Sequence, residues 1–372
     1  MNNSCKNNSP KKKMSVITSY YICNYGSVLQ AYATKLFFEQ IGYEVEFVNY
    51  IRENVRNRII INPKWSSNKI KKAIYKLYQK IDTNKKKKVF ERYIAKHLQL
   101  SAEYPSKNEL YKNPPEADVY CVGSDQMWNS EYNDGILPEV FLDYAPSGSK
   151  KISFSSSMGM SVYSKEDLYQ MKTYLENFLF ISVREKEAVD ILSKAGVKNI
   201  QLFLDPTLLI PAQTWINVMS LKKRKKNYIL IYQLNDNPKM LHFAIKLAEK
   251  NNLQIIQITY YMFQKIKGVH CIYCPKVCEF LSLFYHAEYV VTDSFHGTAF
   301  SINLNKKFYA FNPPKYNSRI KSILDITGLN TRLIDKTDEV DFDTPINYID
   351  VNLILEKERI NARTQLNILT PL

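Results

Sequence analysis

From Met14 onward, short runs of β-branched residues alternate with amphipathic segments. Residues 15–18 have the pattern of a strand, residues 27–40 that of a helix that ends at Gly42, and residues 44–49 that of a second strand. This order is typical of βα units, in which helices connect parallel strands. The sequence therefore predicts an α/β protein with parallel sheets.

The alternation repeats in two successive blocks. With 372 residues, 45% of them hydrophobic, the chain is long enough for two domains that each bury a core. We predict an N-terminal domain at residues 14–183 and a C-terminal domain at residues 184–335. Two successive open sheets leave a cleft between them, and ligands of such folds bind outside the carboxyl ends of the strands.

The remaining strands and helices follow the same alternation. Strands are predicted at residues 118–122, 151–155 and 180–183 in the first domain, and at residues 200–204, 227–233, 254–259, 288–292 and 308–311 in the second. Helices are predicted at residues 184–194, 238–251 and 278–286.

Three segments depart from the alternation. Residues 1–13 are polar and predict a disordered lead-in to Met14. Residues 51–115 are rich in lysine and predict a helical insertion that lacks strands. Residues 336–372 predict a C-terminal tail, whose helix at residues 351–363 packs back across the first domain.

The formal net charge is +15 and comes mostly from runs of basic residues. The runs lie at residues 11–13, 69–72, 85–88 and 222–226. Basic chains attract phosphates, nucleic acids and anionic lipid surfaces. Because no helix-turn-helix, zinc-finger or RNA-binding pattern accompanies the charge, we predict no nucleic-acid partner and favour a loose association with a membrane surface.

The length of the apolar runs and the number of cysteines indicate the cellular compartment. Its apolar runs are shorter than the roughly 18 to 20 residues that cross a bilayer, and no apolar signal segment follows the basic N-terminus. Six cysteines are too few for a disulfide scaffold in a chain of this size. These features predict a cytoplasmic protein, located in part at the inner face of the membrane.

A cysteine-rich segment interrupts the second block. His270, Cys271, Cys274 and Cys278 lie within nine residues of one another. Zinc or an iron–sulfur cluster needs four ligands at suitable spacing, which this segment supplies in principle. Closed structural sites usually draw on two well-separated pairs of ligands, however. We therefore predict no metal and no cofactor.

The turn after the first predicted strand is a candidate binding site. It contains Asn24, Gly26 and Ser27, and the next helix begins there. Free backbone amides of Gly26 and Ser27 at a helix start would bind an anion or a sugar hydroxyl. Alternatively, Asn24 or Ser27 only caps the helix. The segment alone favours neither interpretation.

A second polar loop follows the strand predicted at residues 118–122. It contains Asp125, Gln126, Trp128 and Asn129. Carboxylates and amides bind sugar hydroxyls, and an aromatic face covers a sugar ring. The loop predicts a sugar site, with the alternative that Trp128 fills the core.

Arg184 lies at a junction between a strand and a helix. A guanidinium at such a position binds a carboxylate or a phosphate with two parallel hydrogen bonds. The alternative, which the segment by itself favours, is a surface ion pair with Glu185 or Glu187.

A further turn carries an acid and a histidine between an apolar strand and a helix. Asp293, Ser294 and His296 occupy this turn. An imidazole at the carboxyl end of a strand gains or loses a proton near neutral pH, so His296 is a candidate for proton transfer. A lone histidine is, however, more often packed than catalytic.

Six short motifs occur in an order that resembles the polysaccharide pyruvyl transferase family. They are NYG at residues 24–26 with LQAY at 29–32, VGSDQ at 122–126 with WN at 128–129, SVRE at 182–185, DPT at 205–207, TDSFHG at 292–297, and Asn317 with Arg319. The resemblance spans about residues 15–333. Six motifs in one order are far more specific than any one of them.

The resemblance implies two Rossmann-like domains in a GT-B-like arrangement, with the active site in the interdomain cleft. It implies transfer of pyruvate from phosphoenolpyruvate to a sugar hydroxyl of a bacterial surface polysaccharide or its lipid-linked precursor, forming a pyruvate ketal without a metal. His296 and Arg184 would then meet the donor. The candidate binding residues are Asn24, Gly26, Ser27, Asp125, Gln126, Asp205, Asp293, Ser294 and Arg319.

The chemistry assigns provisional roles to these residues. Arg184 would clamp the carboxylate or phosphate of the donor, and His296, oriented by Asp293 or a backbone amide, would bind phosphate and transfer a proton. Asp125 would be an acceptor ligand or a base. Two other functions stay open: a GT-B glycosyltransferase that uses a sugar nucleotide, and a non-catalytic polysaccharide-binding protein.

Overall fold

The first of two main sheets has five parallel strands in the order β3-β2-β1-β4-β5. The structure, a computed structural model, describes residues 11–52, 69–221, 227–315, 317–335, 342 and 344–369. The strands are β1 Lys12–Ile17, β2 Tyr43–Tyr50, β3 Leu100–Tyr104, β4 Val119–Val122 and β5 Lys150–Ser153. A further parallel pair consists of β6 Ile181–Val183 and β7 Ile200–Leu202. Bridges from Ile152 to Phe180 and from Ser156 to Val183 join this pair to the first sheet.

The second sheet has six parallel strands in the order β10-β9-β8-β11-β12-β13. The strands are β8 Tyr228–Tyr232, β9 Gln254–Thr259, β10 Val269–Tyr273, β11 Tyr289–Thr292, β12 Lys307–Phe311 and β13 Leu333–Ile334. The strand order reverses between β1 and β4 in the first sheet and between β8 and β11 in the second. Loops at such reversal points are where open α/β folds bind ligands.

Helices connect the strands and cover the sheets. In chain order they are α1 Tyr25–Gln40, α2 Lys69–His97, α3 Lys107–Lys112, α4 Ser130–Asn133, α5 Lys165–Leu175, α6 Lys186–Lys194, α7 Pro206–Leu209, α8 Ala212–Val218, α9 Pro238–Asn251, α10 Val277–His286, α11 Phe295–Asn303, α12 Ser318–Thr327 and α13 Tyr348–Leu366. None of the helices in these described ranges combines the length and the apolar character needed to cross a membrane.

The central strands explain why the sequence alternates as it does. Every residue of β4, with the sequence VYCV, and of β8, with the sequence YILIY, is buried. A parallel strand covered by helices on both faces needs apolar residues on both, which gives a continuous apolar run. The predicted α/β class with parallel sheets is confirmed.

Three predicted segments differ from the structure. The predicted lead-in at residues 1–13 overlaps β1, which begins at Lys12 and pairs with β2, while residues 1–10 lie outside the described residues. The predicted strand-free insertion at residues 51–115 contains β3, an edge strand whose two central residues, Ala102 and Glu103, are exposed, so it lacks an apolar run. The strand predicted at residues 200–204 for the second sheet pairs with β6 instead.

Two strands of the second sheet were not predicted. β10 lies in the cysteine-rich segment and β13 has two residues, so neither has a β-branched run that stands out from its surroundings. Both lie at the edges of the sheet, where packing demands are weakest. The division of the chain into domains at residues 183 and 184 stays a prediction.

The C-terminal helix reaches the first domain, as predicted. Arg363 in α13 donates to Gln40 Oε1 at the end of α1 over 3.0 Å, and Tyr43 Oη donates to the carbonyl of Leu369 over 2.8 Å. The Arg359 side chain in the same helix donates to the carbonyl of Leu208 over 2.9 Å. These contacts join α13 and the residues that follow it to α1, β2 and α7.

Candidate active site

Arg184 follows β6, and its guanidinium is completely buried. Its Nη1 donates to Asp205 Oδ2 over 2.6 Å and to Ser124 Oγ over 3.3 Å. Its Nη2 lies 3.7 Å from Asp125 Oδ1, and its Nε lies 3.6 Å from Glu185 Oε1. Three buried carboxylates therefore surround one cation, and the ion pair with Glu185 does not lie at the surface.

Asp205 is the acceptor at the centre of this network. Its Oδ1 accepts hydrogen bonds from the backbone nitrogen and the hydroxyl of Thr207, so it also caps α7. Burial alone would raise the pKa of Asp205, but the nearby imidazole of His296 and the charge of Arg184 lower it well below its usual range. Asp205 is therefore ionised and lies against both Arg184 and His296.

His296 brings the second sheet to the same point. It lies in the first turn of α11, and its Nε2 is 3.7 Å from Asp205 Oδ2. On its other side the ring packs against Gly26, where a β-carbon would stand 2.0 Å from Nδ1. Because Gly26 follows β1 and His296 follows β11, the two reversal points of the sheets face each other here.

Phe295 lies beneath two guanidinium groups. The Cζ of Arg184 is 4.6 Å and the Cζ of Arg319 is 5.8 Å from the centre of the Phe295 ring. The aromatic face attracts both cations. Burial and the nearby charge of Arg184 lower the pKa of Arg319 to about 10. Two cations held this close are stabilised when an anion lies between them.

Asp125 has the unusual backbone conformation that aims its carboxylate inward, with φ of 77°. Its Oδ2 accepts a hydrogen bond of 2.6 Å from Ser27 Oγ, and its Oδ1 accepts one of 2.9 Å from the nitrogen of Gln126. Burial tends to raise the pKa of Asp125, but Arg184, His296 and Ser27 together lower it. Asp125 is therefore also ionised.

Glu185 differs from the two aspartates. It is 1% exposed, its Oε1 accepts a hydrogen bond from Ser157 Oγ, and its Oε2 has no partner among the described residues. Burial raises the pKa of Glu185 by more than Arg184 and Ser157 lower it. Carboxylates whose pKa values are pushed apart by their surroundings mark the acid and base positions of an active site.

Several buried donors around Phe295 lack an acceptor within the described part of the chain. They are Nε and Nη2 of Arg184, Nε2 of His296 and Nε of Arg319. Buried polar groups are nearly always paired, and charged donors of this kind bind anions with several oxygens. The arrangement suits a compact ligand that carries a phosphate, a carboxylate or both.

The predicted anion site at the start of α1 is not formed by free amides. Asn24 Oδ1 already accepts from the nitrogens of Gly26 and Ser27 over 2.8 Å and 3.4 Å, so Asn24 caps the helix. The capping interpretation is therefore correct for Asn24. Gly26 and Ser27 contribute instead by admitting His296 and by holding Asp125.

The predicted sugar loop is partly structural. Trp128 is 1% exposed, its ring stacks on Phe141 at 5.3 Å and its Nε1 donates to the carbonyl of Val140, so it fills the core. Gln126 Oε1 accepts from Asn129 Nδ2 over 2.7 Å, which holds the loop. The expectation that Trp128 covers a sugar ring is therefore wrong.

The predicted orientation of His296 by Asp293 is also wrong. Asp293 accepts hydrogen bonds from the backbone nitrogens of Leu234 and Asn235, over 2.7 Å and 2.9 Å, and so holds the loop after β8. Ser294 caps α11 by accepting from the nitrogen of Gly297. The carboxylate that faces His296 is Asp205. The sequence predicted Asp205 as a binding residue but did not predict its contact with His296.

The three cysteines of residues 271–278 point to different neighbours. Cys274 Sγ is 3.8 Å from Tyr25 Oη, Cys278 Sγ is 3.6 Å from Met219 Sδ, and Cys271 lies on the edge strand β10. Burial raises the pKa of all three thiols. No cluster of three or more potential metal ligands occurs among the residues that the structure describes.

Several site residues were missed by the sequence interpretation. Glu185 was considered only as a surface partner of Arg184, and Ser124, Ser157 and Phe295 were not considered for the site. The motifs SVRE and TDSFHG contain Glu185 and Phe295, and this was the signal available. Their contacts depend on which loops meet, which a linear pattern does not show.

Comparison with known proteins gives both a family and a fold. The sequence model of the family described as polysaccharide pyruvyl transferase matches residues 24–314. No curated protein matches the chain. Among solved structures, an α-glucosyltransferase in complex with UDP-glucose and DNA containing an abasic site has a TM-score of 0.50 at 8% identity, covering 97% of this chain and 100% of its own.

Two further structures are similar in fold. Arabidopsis thaliana UGT89C1 complexed with UDP has a TM-score of 0.50 at 11% identity and covers 97% of this chain and 100% of its own. The UDP-GlcNAc 2-epimerase of Methanocaldococcus jannaschii, solved with UDP-GlcNAc and UDP, has a TM-score of 0.47 at 15% identity. It covers 93% of this chain and 94% of its own. The two likenesses with a TM-score of 0.50 concern the fold, and they confirm the predicted GT-B-like arrangement of two Rossmann-like units.

Proposed function

Because the chain belongs to the polysaccharide pyruvyl transferase family, we propose that it transfers pyruvate from phosphoenolpyruvate to a sugar hydroxyl of a bacterial surface polysaccharide or its lipid-linked precursor. The product is a pyruvate ketal. The observation that carries the proposal is the set of buried nitrogens on Arg184, His296 and Arg319 that make no hydrogen bond within the described residues.

Phosphoenolpyruvate fits the chemistry of these donors. It carries a phosphate and a carboxylate on one carbon, and a guanidinium binds either group through two parallel hydrogen bonds. Nε and Nη2 of Arg184 make no hydrogen bond within the described residues, although they lie 3.6 Å from Glu185 and 3.7 Å from Asp125, while Nη1 donates to Asp205. The donor therefore adds negative charge where the two arginines concentrate positive charge.

The reaction requires a proton at the methylene carbon of the donor. When this carbon accepts a proton it becomes a methyl group, and the carbon that bears the phosphate becomes electrophilic. We assign this proton to Glu185, because its raised pKa favours the protonated form and its Oε2 is unpartnered. A carboxyl group kept neutral by burial serves as an acid in other enzymes.

Two hydroxyls of the acceptor then form bonds to that carbon. The first hydroxyl attacks and loses its proton to an ionised carboxylate, for which Asp125 is the candidate because its pKa is lowered. The carbon–oxygen bond to phosphate breaks with its electron pair, and the second hydroxyl attacks and releases its proton. Glu185 gives one proton to the methyl group and His296 Nε2 gives one to the departing phosphate. The two protons released by the hydroxyls replace these two, so the atoms and charges balance.

The acceptor enters from the loops that follow β1 and β4. Of the three carboxylates around Arg184, Asp125 is the most exposed, at 9%. Asp205 and Glu185 are each 1% exposed. A hydroxyl of a bulky glycan reaches Asp125 more readily than the buried pair. A glycosyltransferase that uses a sugar nucleotide is the alternative, since solved structures of similar fold contain UDP or UDP-glucose.

The test is thermal unfolding in the presence of each donor. A ligand that binds the folded state raises the melting temperature with the logarithm of its concentration over its dissociation constant. Phosphoenolpyruvate at about millimolar concentration should stabilise the wild type, and Arg184→Lys should reduce this effect. Stabilisation that inorganic sulfate reproduces, or that survives in the variant, would contradict the proposal. Stabilisation by UDP-glucose alone would favour the glycosyltransferase.

A further inference from the structure

The loop after β9 exposes two aromatic side chains. Tyr261 is 70% and Phe263 is 75% exposed. Aromatic side chains of this size are normally buried, and clustered exposed apolar groups mark a site of interaction with a protein or a membrane. The loop has no part in the donor site.

Helix α2 extends this exposed surface. Tyr78 in α2 lies 6.0 Å from the Phe263 ring, and next to Tyr78 the side chains of Leu77 and Ile81 are 60% and 43% exposed. Leu77 and Ile81 are four residues apart and so lie on one side of the helix. We call Leu77, Ile81, Tyr261 and Phe263 the Phe263 surface.

Helix α2, which carries Leu77 and Ile81 of the Phe263 surface, is rich in lysine. Between Lys76 and His97, α2 carries seven lysines and one arginine against two acids. Lys85 Nζ lies 3.3 Å from Met262 Sδ in the aromatic loop. Asp82, one of the two acids, is already paired with Lys86 over 2.5 Å and accepts a hydrogen bond from Tyr273. The charge around the apolar centre is therefore strongly positive.

The Phe263 surface lies at the same edge of the second sheet as the donor site. β9 and β11 run parallel in this sheet, so the loops that follow them, with Phe263 and with His296, emerge at one edge. Tyr260 in the aromatic loop lies 5.9 Å from the ring of Tyr25, which precedes Gly26. A partner bound at the Phe263 surface is therefore next to the mouth of the cleft.

We propose that the Phe263 surface docks on the interface of an anionic lipid bilayer, with its aromatic and aliphatic side chains in the headgroup region and its lysines on the anionic headgroups. Apolar side chains rimmed by lysines have this distribution in peripheral membrane proteins. A bilayer is favoured over a second protein chain because basic residues on α2 far outnumber acidic ones. Docking would hold a lipid-linked acceptor at the cleft, a consequence that rests on the proposed function.

Helix α13 supplies the contrast. It also exposes apolar residues, with Ile349 at 75% and Leu353 at 66%, but acids and bases alternate among its neighbours, for example Glu356 and Lys357. Without an excess of one charge it has no attraction for an anionic surface. Its exposed residues therefore serve as a control.

The experiment is flotation of the full chain with vesicles of phosphatidylcholine, with and without phosphatidylglycerol. The wild type should bind the vesicles that contain phosphatidylglycerol, and added salt should weaken this binding. Tyr261→Ser combined with Phe263→Ser should weaken it at least about ten-fold, since two exposed aromatic side chains lose their apolar contact. Replacing Lys85 or Lys88 by Gln should weaken it about five-fold each.

Matched variants distinguish docking from general effects. Tyr169→Ser removes an aromatic residue that is 69% exposed, on a helix with mixed charges, and Leu353→Ser removes an exposed residue of α13; neither should change vesicle binding. Equal loss in these controls, no loss in the Tyr261 and Phe263 variant, or binding of single-stranded RNA in place of vesicles would overturn the proposal. Stabilisation by phosphoenolpyruvate should be unchanged in all five variants, so a failure of docking is separate from a failure of the donor site.

Discussion

Gly26 and His296 are in such close contact that a β-carbon on residue 26 would lie 2.0 Å from the imidazole Nδ1. Gly26→Ala should therefore displace the ring from Asp205 and from the donor. Because a shift of about 1 Å in a catalytic group can cost about 100-fold, we expect kcat/KM to fall by at least that factor. Alanine is a better helix former than glycine, so the helix itself is not weakened.

A double-mutant cycle identifies the cause of this loss. If the clash with the ring is responsible, Gly26→Ala should have little further effect in a chain that already carries His296→Ala. Steady-state kinetics of the wild type, both single variants and the double variant provide the measurement. Additive losses would show that Gly26 acts through something other than His296.

Arg184→Lys should reduce turnover by about 100-fold to 1,000-fold, since an ammonium group does not reproduce the paired hydrogen bonds of a guanidinium. The lysine still neutralises Asp205, so the chain should fold. Arg184→Ala should in addition destabilise the fold by about 3–5 kcal/mol, because it leaves a buried carboxylate unpaired.

Arg359 offers a control for these losses. It is a second buried arginine, 7% exposed, that contacts Leu208 and Asn303 away from the donor site. Arg359→Lys should lower the melting temperature and leave kcat close to that of the wild type. Unchanged turnover in Arg184→Lys would show that Arg184 does not bind the donor.

Glu185→Gln tests the assignment of the proton donor. Because the pKa of Glu185 is raised, its protonated form persists to higher pH than for an ordinary glutamate, and kcat should fall as pH rises through that pKa. The amide cannot donate this proton, so turnover should drop about 100-fold to 10,000-fold and the falling limb should disappear. A variant that keeps the limb would show that another group supplies the proton.

The main features of the fold follow from the sequence, whereas the donor site does so only in part. β9, predicted at residues 254–259, has these bounds in the structure, because four of its six residues are β-branched. β3 was missed because edge strands need no such run. Arg184, Asp205 and His296 were all identified from motifs, but their mutual contacts depend on the meeting of two sheets.

The errors at the site have one physical origin. Trp128 and Asp293 are the residue types that bind sugars and orient histidines, yet the core and the loop after β8 already use them. The residue type sets the roles that a side chain is able to take, and its burial and its partners decide which role it takes. Glu185 illustrates the converse, since its surroundings raise the pKa of an otherwise ordinary acid.

Replacing Cys271, Cys274 and Cys278 together by serine should leave turnover close to that of the wild type. Their thiols face Tyr25, Met219 and the sheet edge rather than one another, and burial keeps them protonated. Elemental analysis of the purified protein should detect no stoichiometric metal. One zinc or several irons per chain, absent from the triple variant, would contradict this prediction.

Asp205→Asn should change how stability depends on pH. A carboxyl group whose pKa is lowered by folding contributes stability that is present above the pKa of the unfolded chain, about 4, and is lost as pH falls through the lower pKa of the folded state. The amide removes this acid-sensitive contribution and leaves Arg184 without its closest partner, so the free energy of unfolding at pH 7 should fall by about 3–5 kcal/mol. Urea unfolding between about pH 3 and pH 7 should therefore show that the free energy of unfolding depends less steeply on pH in the variant than in the wild type.

Asp325→Asn, at an exposed position, is the matched control and should follow the wild type. A slope unchanged by Asp205→Asn would mean that the buried ion pair with Arg184 does not set the acid stability of the site.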